Sequence, residues 1–212
     1  YEISLGLVGS EMCIRDSYPK AAVMTGLPDE SFIRADIPMT KREIRASVVS
    51  RLSPAKDAIV YDIGAGTGSV SVELAMHALY GTVYAVERTK EGCELIAQNA
   101  RKFGLDNIDI INASAADVIE KLPAADSVFI GGSGGELEKI MDIVLKKNPG
   151  VHIVITAVTL ETLNDSVRLM EDKKVDVIDI VQIAVTQIKK RGRYHMLAAN
   201  NPVFIIEGRG NR

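Results

Sequence analysis

The chain lacks several features that would place it in a specialised class. It has only two cysteines, Cys13 and Cys93, which are too few for a disulfide framework or a structural zinc site. No apolar run approaches the roughly 20 residues that a bilayer-spanning helix needs. The formal net charge of -3 provides no general attraction to nucleic acid or to an anionic membrane. We therefore expect a cytoplasmic protein with no metal site and no nucleic-acid or membrane partner.

What the sequence does contain is typical of a globular domain. Of its 212 residues, 47% are hydrophobic and 25% are charged, which is enough apolar material to bury a core. Residues 1–17 resemble a translated sequencing adaptor, so we expect a non-native tail there. Residues 18–212 are then predicted to form a single domain.

Short apolar runs alternate with amphipathic segments along the rest of the chain. The predicted strands are 58–63, 82–86, 108–112, 127–130, 151–156, 175–188 and 202–207. The predicted helices are 41–52, 69–79, 90–103, 116–121, 136–147 and 160–172. Thr40, with Glu43 three residues later, suggests a capping box for the first helix. Residues 189–201 are polar and basic and are predicted to be a loop.

This alternation predicts an α/β fold with a mostly parallel seven-stranded sheet. Strands that are apolar throughout are typical of a parallel sheet covered by helices on both faces. The last two strands have no helix between them, which predicts a C-terminal antiparallel hairpin at one edge. The overall pattern is that of a Rossmann-like class I S-adenosylmethionine-dependent methyltransferase.

The first strand runs into the glycine-rich turn Gly64–Gly68, which carries most of the functional information. In an open α/β sheet, ligands bind beyond the carboxyl ends of the strands, and glycines allow the backbone to approach them. The spacing Gly64-x-Gly66-x-Gly68, with Asp62 two residues earlier, differs from the G-x-G-x-x-G of dehydrogenases. There is also no P-loop lysine. The turn therefore predicts S-adenosylmethionine as the cofactor.

Two further strand ends support this interpretation. Glu87 follows the second strand, about twenty residues after the turn, where an acidic side chain can accept hydrogen bonds from ribose hydroxyls. Residues 112–115 include the end of the third strand, at the place where such enzymes hold the adenine. Families of this class often have an acidic residue there, and Ser114 would be a neutral substitute for it.

Several motifs together resemble those of one family. The segments are Gly26–Phe32, Pro38–Lys41, Asp62–Ser69, Gly131–Leu137 and Asn201–Val203. Their combination resembles the CbiT family, the decarboxylating cobalt-precorrin-6B C15-methyltransferases of cobalamin synthesis. The resemblance extends over about residues 26–208, whereas methyltransferases in general share only the central motif.

The resemblance implies a homotetramer that methylates C15 of a precorrin and removes carbon dioxide from the acetate side chain at C12. Carried over by position, it implies that the cofactor is bound by Thr40, Gly64, Ala65, Gly66, Thr67, Gly68, Glu87 and Ala115. No catalytic residue is assigned, because the sulfonium methyl is already activated and transfer depends mainly on positioning.

Two segments are candidates for binding the acceptor. The first is the glycine-rich loop after the fourth strand, with Gly132, Ser133 and Gly134, which would allow a flat macrocycle to approach closely. The second is the basic loop, with Arg191, Arg193, Tyr194 and His195, whose cations could bind the carboxylates of a precorrin.

Two other functions remain open from the sequence. One is a class I methyltransferase that acts on a different acceptor, such as a tRNA base or a protein carboxyl group. The other is a non-catalytic module that kept the fold and binds the cofactor or a partner protein. The acidic net charge disfavours the first alternative, and the intact glycine turn with Glu87 disfavours the second.

Overall fold

Strands and helices alternate through residues 24–211, the part of the chain that this computed structural model describes. The seven strands of the main sheet are β1 (Ile59–Ile63), β2 (Thr82–Glu87), β3 (Ile108–Asn112), β4 (Ser127–Ile130), β5 (His152–Ala157), β6 (Val175–Ile183) and β9 (Val203–Gly210). They are arranged in the order β3-β2-β1-β4-β5-β9-β6. The first five strands are parallel, and β9 lies antiparallel between β5 and β6. The predicted fold class is confirmed.

Three helices cover each face of the sheet, which accounts for strands that are apolar throughout. They are α1 (Arg42–Leu52), α2 (Ser69–His77), α3 (Lys90–Phe103), α4 (Ala115–Val118), α5 (Leu137–Lys147) and α6 (Leu160–Asp172). Apolar side chains of α1 and α2 pack on one face, and those of α4, α5 and α6 pack on the other. In the central strands β1 and β4, nearly every residue is therefore buried.

Local signals mark the ends of two of the helices, α3 and α6. The Thr89 hydroxyl caps α3 by accepting a hydrogen bond from the Gly92 amide at 3.2 Å, and Gly104 ends the same helix with a φ of 66°. Thr159 caps α6 in the same way. The predicted capping box at α1 is wrong. The N-cap is Lys41, with no side-chain hydrogen bond, and the carbonyl of Thr40 accepts from Arg45 at 2.7 Å.

The predicted basic loop at 189–201 is also wrong. The chain forms a second, two-stranded antiparallel sheet from β7 (Thr186–Arg191) and β8 (Tyr194–Ala199), which turns at Gly192. The single predicted strand 175–188 is accordingly divided into β6 and β7. Nearly all side chains of this hairpin are exposed, so it has no buried face within the chain, and the alternation of buried and exposed residues that indicates a strand is missing.

A buried ion pair between α1 and the middle of α2 holds the segment before α1 in place. Arg45 and Glu73 are fully buried, and the Arg45 Nε atom donates to Glu73 Oε1 at 2.6 Å. The same carboxylate accepts from the amides of Gly26 and Leu27 at 2.8 and 3.0 Å. Arg45 also pairs with Asp29 at 3.2 Å. Because each charge has several partners, the pair tolerates burial and anchors the N-terminal segment.

Residues 24–211 contain no helix that is both long and apolar enough to cross a membrane. The non-native tail predicted at 1–17 lies outside the described residues.

The buried ion pair yields a test of stability. Glu73→Gln would leave Arg45 buried with only Asp29 as an acidic partner. It would also turn the NH2 group of the new side chain toward groups that themselves donate to Glu73, the Arg45 guanidinium or the amides of Gly26 and Leu27. We expect the free energy of unfolding to fall by about 3 kcal/mol in urea denaturation. The control is Asp165→Asn, which removes an exposed partner of Arg168 and should cost less than about 1 kcal/mol. Equal effects of the two variants would contradict the anchoring role of Glu73.

Candidate functional site

A cavity of about 310 Å³ opens at the carboxyl ends of β1 to β4. This is the edge of the sheet where open α/β folds bind ligands, next to the point between β1 and β4 where strand order reverses. The cavity is lined by Ile37, Pro38, Ile63, Gly64, Gly66, Val86, Glu87, Arg88, Thr89, Ala113, Ser114, Ala115, Gly132, Ser133 and Gly134.

The turn after β1 is held against its neighbours by backbone contacts. The amides of Gly64 and Ala65 donate to the carbonyl of Val86 at 3.0 and 3.2 Å. Gly64 has a φ of 74°, and a Cβ atom there would lie 2.6 Å from the carbonyl oxygen of Gly132. Glycine is therefore required at 64, because its backbone packs directly on the loop after β4.

Gly66 faces the opposite wall of the cavity. Its φ is 56°, and an added Cβ would lie 3.1 Å from the carbonyl oxygen of Pro38 and 3.7 Å from the Ile37 side chain. Ile37 and Pro38 belong to the segment that the Arg45–Glu73 pair anchors. A side chain at 66 would therefore narrow the space between the turn and this segment.

Glu87 connects the turn to the start of α3. Its Oε2 atom accepts from the Gly66 amide at 2.9 Å, and its Oε1 atom accepts from the amide and the hydroxyl of Thr89, both at 2.9 Å. A carboxylate has about four acceptor positions, so one on Oε2 remains for a donor in the cavity. A Cβ at Gly92 would lie 2.6 Å from the Glu87 Cγ atom, so Gly92 gives this side chain its room.

Two buried polar atoms near the turn are unpaired within residues 24–211. They are Oδ1 of Asp62 and Oγ1 of Thr67. The other oxygen of Asp62 accepts from the Ser71 hydroxyl at 2.5 Å. Burial raises the pKa of Asp62 to about 7, since desolvation disfavours the ionised carboxylate and the Ser71 hydrogen bond only partly offsets this. A positive charge bound nearby would favour the ionised form.

The structure brings half of the predicted cofactor residues to the wall of the cavity. Gly64, Gly66, Glu87 and Ala115 line the cavity. Ala65, Thr67 and Gly68 shape the turn but do not line it, and Gly68 is the N-cap of α2. Thr40 is also absent from the lining. The cofactor contacts of all these residues stay predictions.

The predicted acceptor residues fall into two groups. Gly132, Ser133 and Gly134 line the cavity. The second group lies on the exposed hairpin and lines neither this cavity nor the one at the ends of β4 and β5. Its members are Arg191, Arg193, Tyr194 and His195. The Arg193 guanidinium instead donates to the Tyr194 hydroxyl at 2.7 Å. The role of these four residues in substrate binding stays a prediction.

Other residues of the site were missed from the sequence. Ile37 and Pro38 line the cavity because the buried Arg45–Glu73 pair holds their segment in place, and the sequence carries no local signal for that pair. Arg88 and Thr89 directly follow Glu87, so their position after β2 could have indicated them. Gly92 could have been recognised only from its contact with Glu87.

The cavity fits S-adenosylmethionine in size and in the chemistry of its walls. Its volume lies at the lower end of the range for ligand pockets. Glu87 offers an acceptor for a ribose hydroxyl, and Val86, Ala113 and Ala115 provide an apolar surface for an adenine ring. No group of three or more histidine, cysteine or acidic side chains in residues 24–211 could hold a metal ion.

Comparisons with known proteins agree with this site. A family model described as precorrin methyltransferase domain matches residues 31–208. The chain is 40% identical over 184 residues to a protein of Pyrobaculum calidifontis named probable cobalt-precorrin-6B C(15)-methyltransferase (decarboxylating), covering 85% of this chain and 94% of the relative. A Salmonella typhimurium protein, named cobalt-precorrin-6B C(15)-methyltransferase (decarboxylating), is 35% identical over 182 residues, with 85% and 94% covered.

Solved structures give the same result. The crystal structure of precorrin-6y C5,15-methyltransferase from Geobacter metallireducens is 36% identical and superposes with a TM-score of 0.83. The match covers 91% of this chain and 99% of that one.

The glycine turn yields a test with a matched control. Gly66→Ala places a methyl group between the turn and Pro38, so we expect at least a tenfold loss of affinity for S-adenosylhomocysteine in isothermal titration calorimetry. Gly104→Ala imposes similar backbone strain at a φ of 66°, where a Cβ meets nothing within 4 Å. The control should bind within twofold of the unmodified protein. Unchanged affinity of Gly66→Ala would contradict the assignment of the turn.

Proposed function

This chain belongs to the precorrin methyltransferase family, and we propose that it methylates C15 of cobalt-precorrin-6B with loss of the C12 acetate carboxyl group as carbon dioxide. The observation that carries this proposal is one cavity lined by the glycine turn and Glu87 on one side and by Gly132–Gly134 on the other. Such a cavity would bring a methyl donor and an acceptor into contact at the end of β4.

S-adenosylmethionine supplies an electrophilic methyl group on a sulfonium centre. The residues of this chain bind and orient it. Glu87 accepts a hydrogen bond from a ribose hydroxyl, and the turn from Gly64 lets the backbone approach the amino-acid end of the cofactor. Ala115 lies where the adenine ring would pack. The segment with Ile37 and Pro38 closes the wall opposite Gly66 and limits the access of water.

The acceptor approaches over the loop from Gly131 to Gly135, where the absence of side chains permits close contact with a flat ring. The predicted exclusion of nucleic acid rests on the net charge of -3 and on the small size of the cavity. We propose a cytoplasmic location, in keeping with a biosynthetic role.

We also propose a homotetramer in which the hairpin of β7 and β8 contacts other copies of the chain. A two-stranded hairpin alone is marginally stable in water. This one exposes large apolar side chains, namely Ile188, Tyr194, Met196 and Leu197. Packing against a second copy would bury them. It would also carry the cations Arg191 and Arg193 toward a neighbouring subunit.

The proposed reaction is tested with methyl-labelled S-adenosylmethionine and cobalt-precorrin-6B. We expect the corrinoid product to gain one labelled methyl group, with carbon dioxide released in equal amount. Gly66→Ala should lose both signals in proportion to its loss of cofactor affinity, whereas Gly104→Ala should keep them. Cofactor binding with no turnover of the corrinoid would contradict the proposed function.

The proposed assembly is tested by light scattering after size-exclusion chromatography. For a chain of 22.9 kDa, we expect a mass near four times that value. The double variant Ile188→Glu/Leu197→Glu should dissociate, because it places charges on the apolar surface of the hairpin. Tyr80→Glu changes an equally exposed residue outside the hairpin and should leave the mass unchanged. A monomeric unmodified protein would contradict the proposal.

A further inference from the structure

A second cavity, of about 260 Å³, lies at the carboxyl ends of β4 and β5. It shares Gly132, Ser133 and Gly134 with the first cavity, so the loop after β4 is a common wall. Most of its other lining residues are apolar or carry a hydroxyl group, namely Ile130, Leu137, Ile155, Val158, Thr156 and Thr162. The exposed Val158 lies at this cavity, and a flat apolar ring would cover it.

Arg88 lines the first cavity and lies beside Gly134, which lines both. An added Cβ at Gly134 would fall 2.5 Å from the Arg88 Nη1 atom and 2.7 Å from its Cζ atom, so the guanidinium lies directly against this glycine. Gly134 has a φ of 61° and lines both cavities. Glycine at this position thus makes room for the arginine.

Arg88 is the single basic side chain that lines either cavity in the described part of the chain. Arg45, Arg51 and Arg168 are held by acidic partners, whereas the guanidinium of the exposed Arg88 has no hydrogen bond or ion pair within residues 24–211. Only the Arg88 carbonyl is bonded, accepting from the Asn112 side chain. The carboxylate of its neighbour Glu87 is already bound to Gly66 and Thr89. An unpaired guanidinium in a ligand cavity is suited to a carboxylate, which its planar fork can bind with two parallel hydrogen bonds.

We propose that the acceptor ring lies in the second cavity and that Arg88 binds one of its carboxylates at the junction with the cofactor cavity. This inference rests on the proposed function for the identity of the acceptor. S-adenosylmethionine also has a carboxylate, but it belongs to the amino-acid end of the ligand, which the turn at Gly64 accommodates. Arg88 instead lies beside Glu87 and Gly134. It would orient the acceptor ring against the shared loop.

The test compares Arg88→Gln and Arg88→Lys with the unmodified enzyme. For Arg88→Gln we expect the KM for cobalt-precorrin-6B to rise about ten- to hundredfold, as for the loss of a charge-assisted hydrogen bond. Arg88→Lys keeps the charge without the fork and should recover part of the loss. The dissociation constant of S-adenosylhomocysteine should stay within twofold in both variants. Arg101→Gln removes an exposed cation at the end of α3 and should change neither quantity.

A second readout separates this inference from the proposed function. Uroporphyrin, a flat tetrapyrrole with acetate and propionate side chains, serves as a binding probe in a fluorescence titration. Its affinity should fall at least tenfold in Arg88→Gln, whether or not the enzyme turns over the corrinoid. Val158→Asp, which places a negative charge in the second cavity, should lower the affinity of the probe in the same way.

Three results would overturn the inference. Equal affinities of the probe for Arg88→Gln and the unmodified protein would exclude a carboxylate contact, and so would absence of probe binding to either. A parallel loss of S-adenosylhomocysteine affinity would assign Arg88 to the cofactor. Absence of corrinoid turnover by the unmodified enzyme, with Arg88-dependent probe binding retained, would overturn the proposed function alone.

Discussion

The carboxylate of Glu87 links the three elements that build the cofactor cavity. It ends β2, accepts from the backbone of the glycine turn at Gly66, and accepts from Thr89, which in turn caps α3. One side chain thus fixes the turn relative to the helix while keeping an acceptor position for a ligand. Gly92 makes this arrangement possible, because any side chain there would collide with the Glu87 Cγ atom.

The remaining walls depend on close backbone packing and on one buried ion pair. Gly64 packs on Gly132, which joins the turn after β1 to the loop after β4. Arg45 and Glu73 hold the segment before α1, and this segment supplies Ile37 and Pro38 to the opposite wall. The cavity therefore forms from parts that are distant in sequence but rigidly connected, as a preorganised binding site requires.

The sequence predicted the parts of the fold whose signals are local. Glycines at 64, 66 and 68 between an apolar strand and an amphipathic helix indicated the turn, and the bounds predicted for the third helix, 90–103, are those observed for α3. The hairpin of β7 and β8 was not predictable in this way, since its strands have no buried face within the chain. The predicted capping box is absent because α1 begins at Arg42, so the N-cap position falls to Lys41 rather than to Thr40. The contact of Arg88 with Gly134 joins residues 46 positions apart and could not be read from the sequence.

The central claim is that Glu87 both orders the glycine turn and binds the ribose, and calorimetric titration of S-adenosylhomocysteine into Glu87→Gln tests it most directly. The amide keeps one acceptor oxygen but cannot accept from Gly66 and Thr89 while also receiving a ribose hydroxyl. We predict a dissociation constant at least tenfold higher than that of the unmodified protein. Glu91→Gln, which changes an exposed acid in the first turn of α3, should leave it unchanged. An affinity for Glu87→Gln equal to that of the unmodified protein would contradict the account.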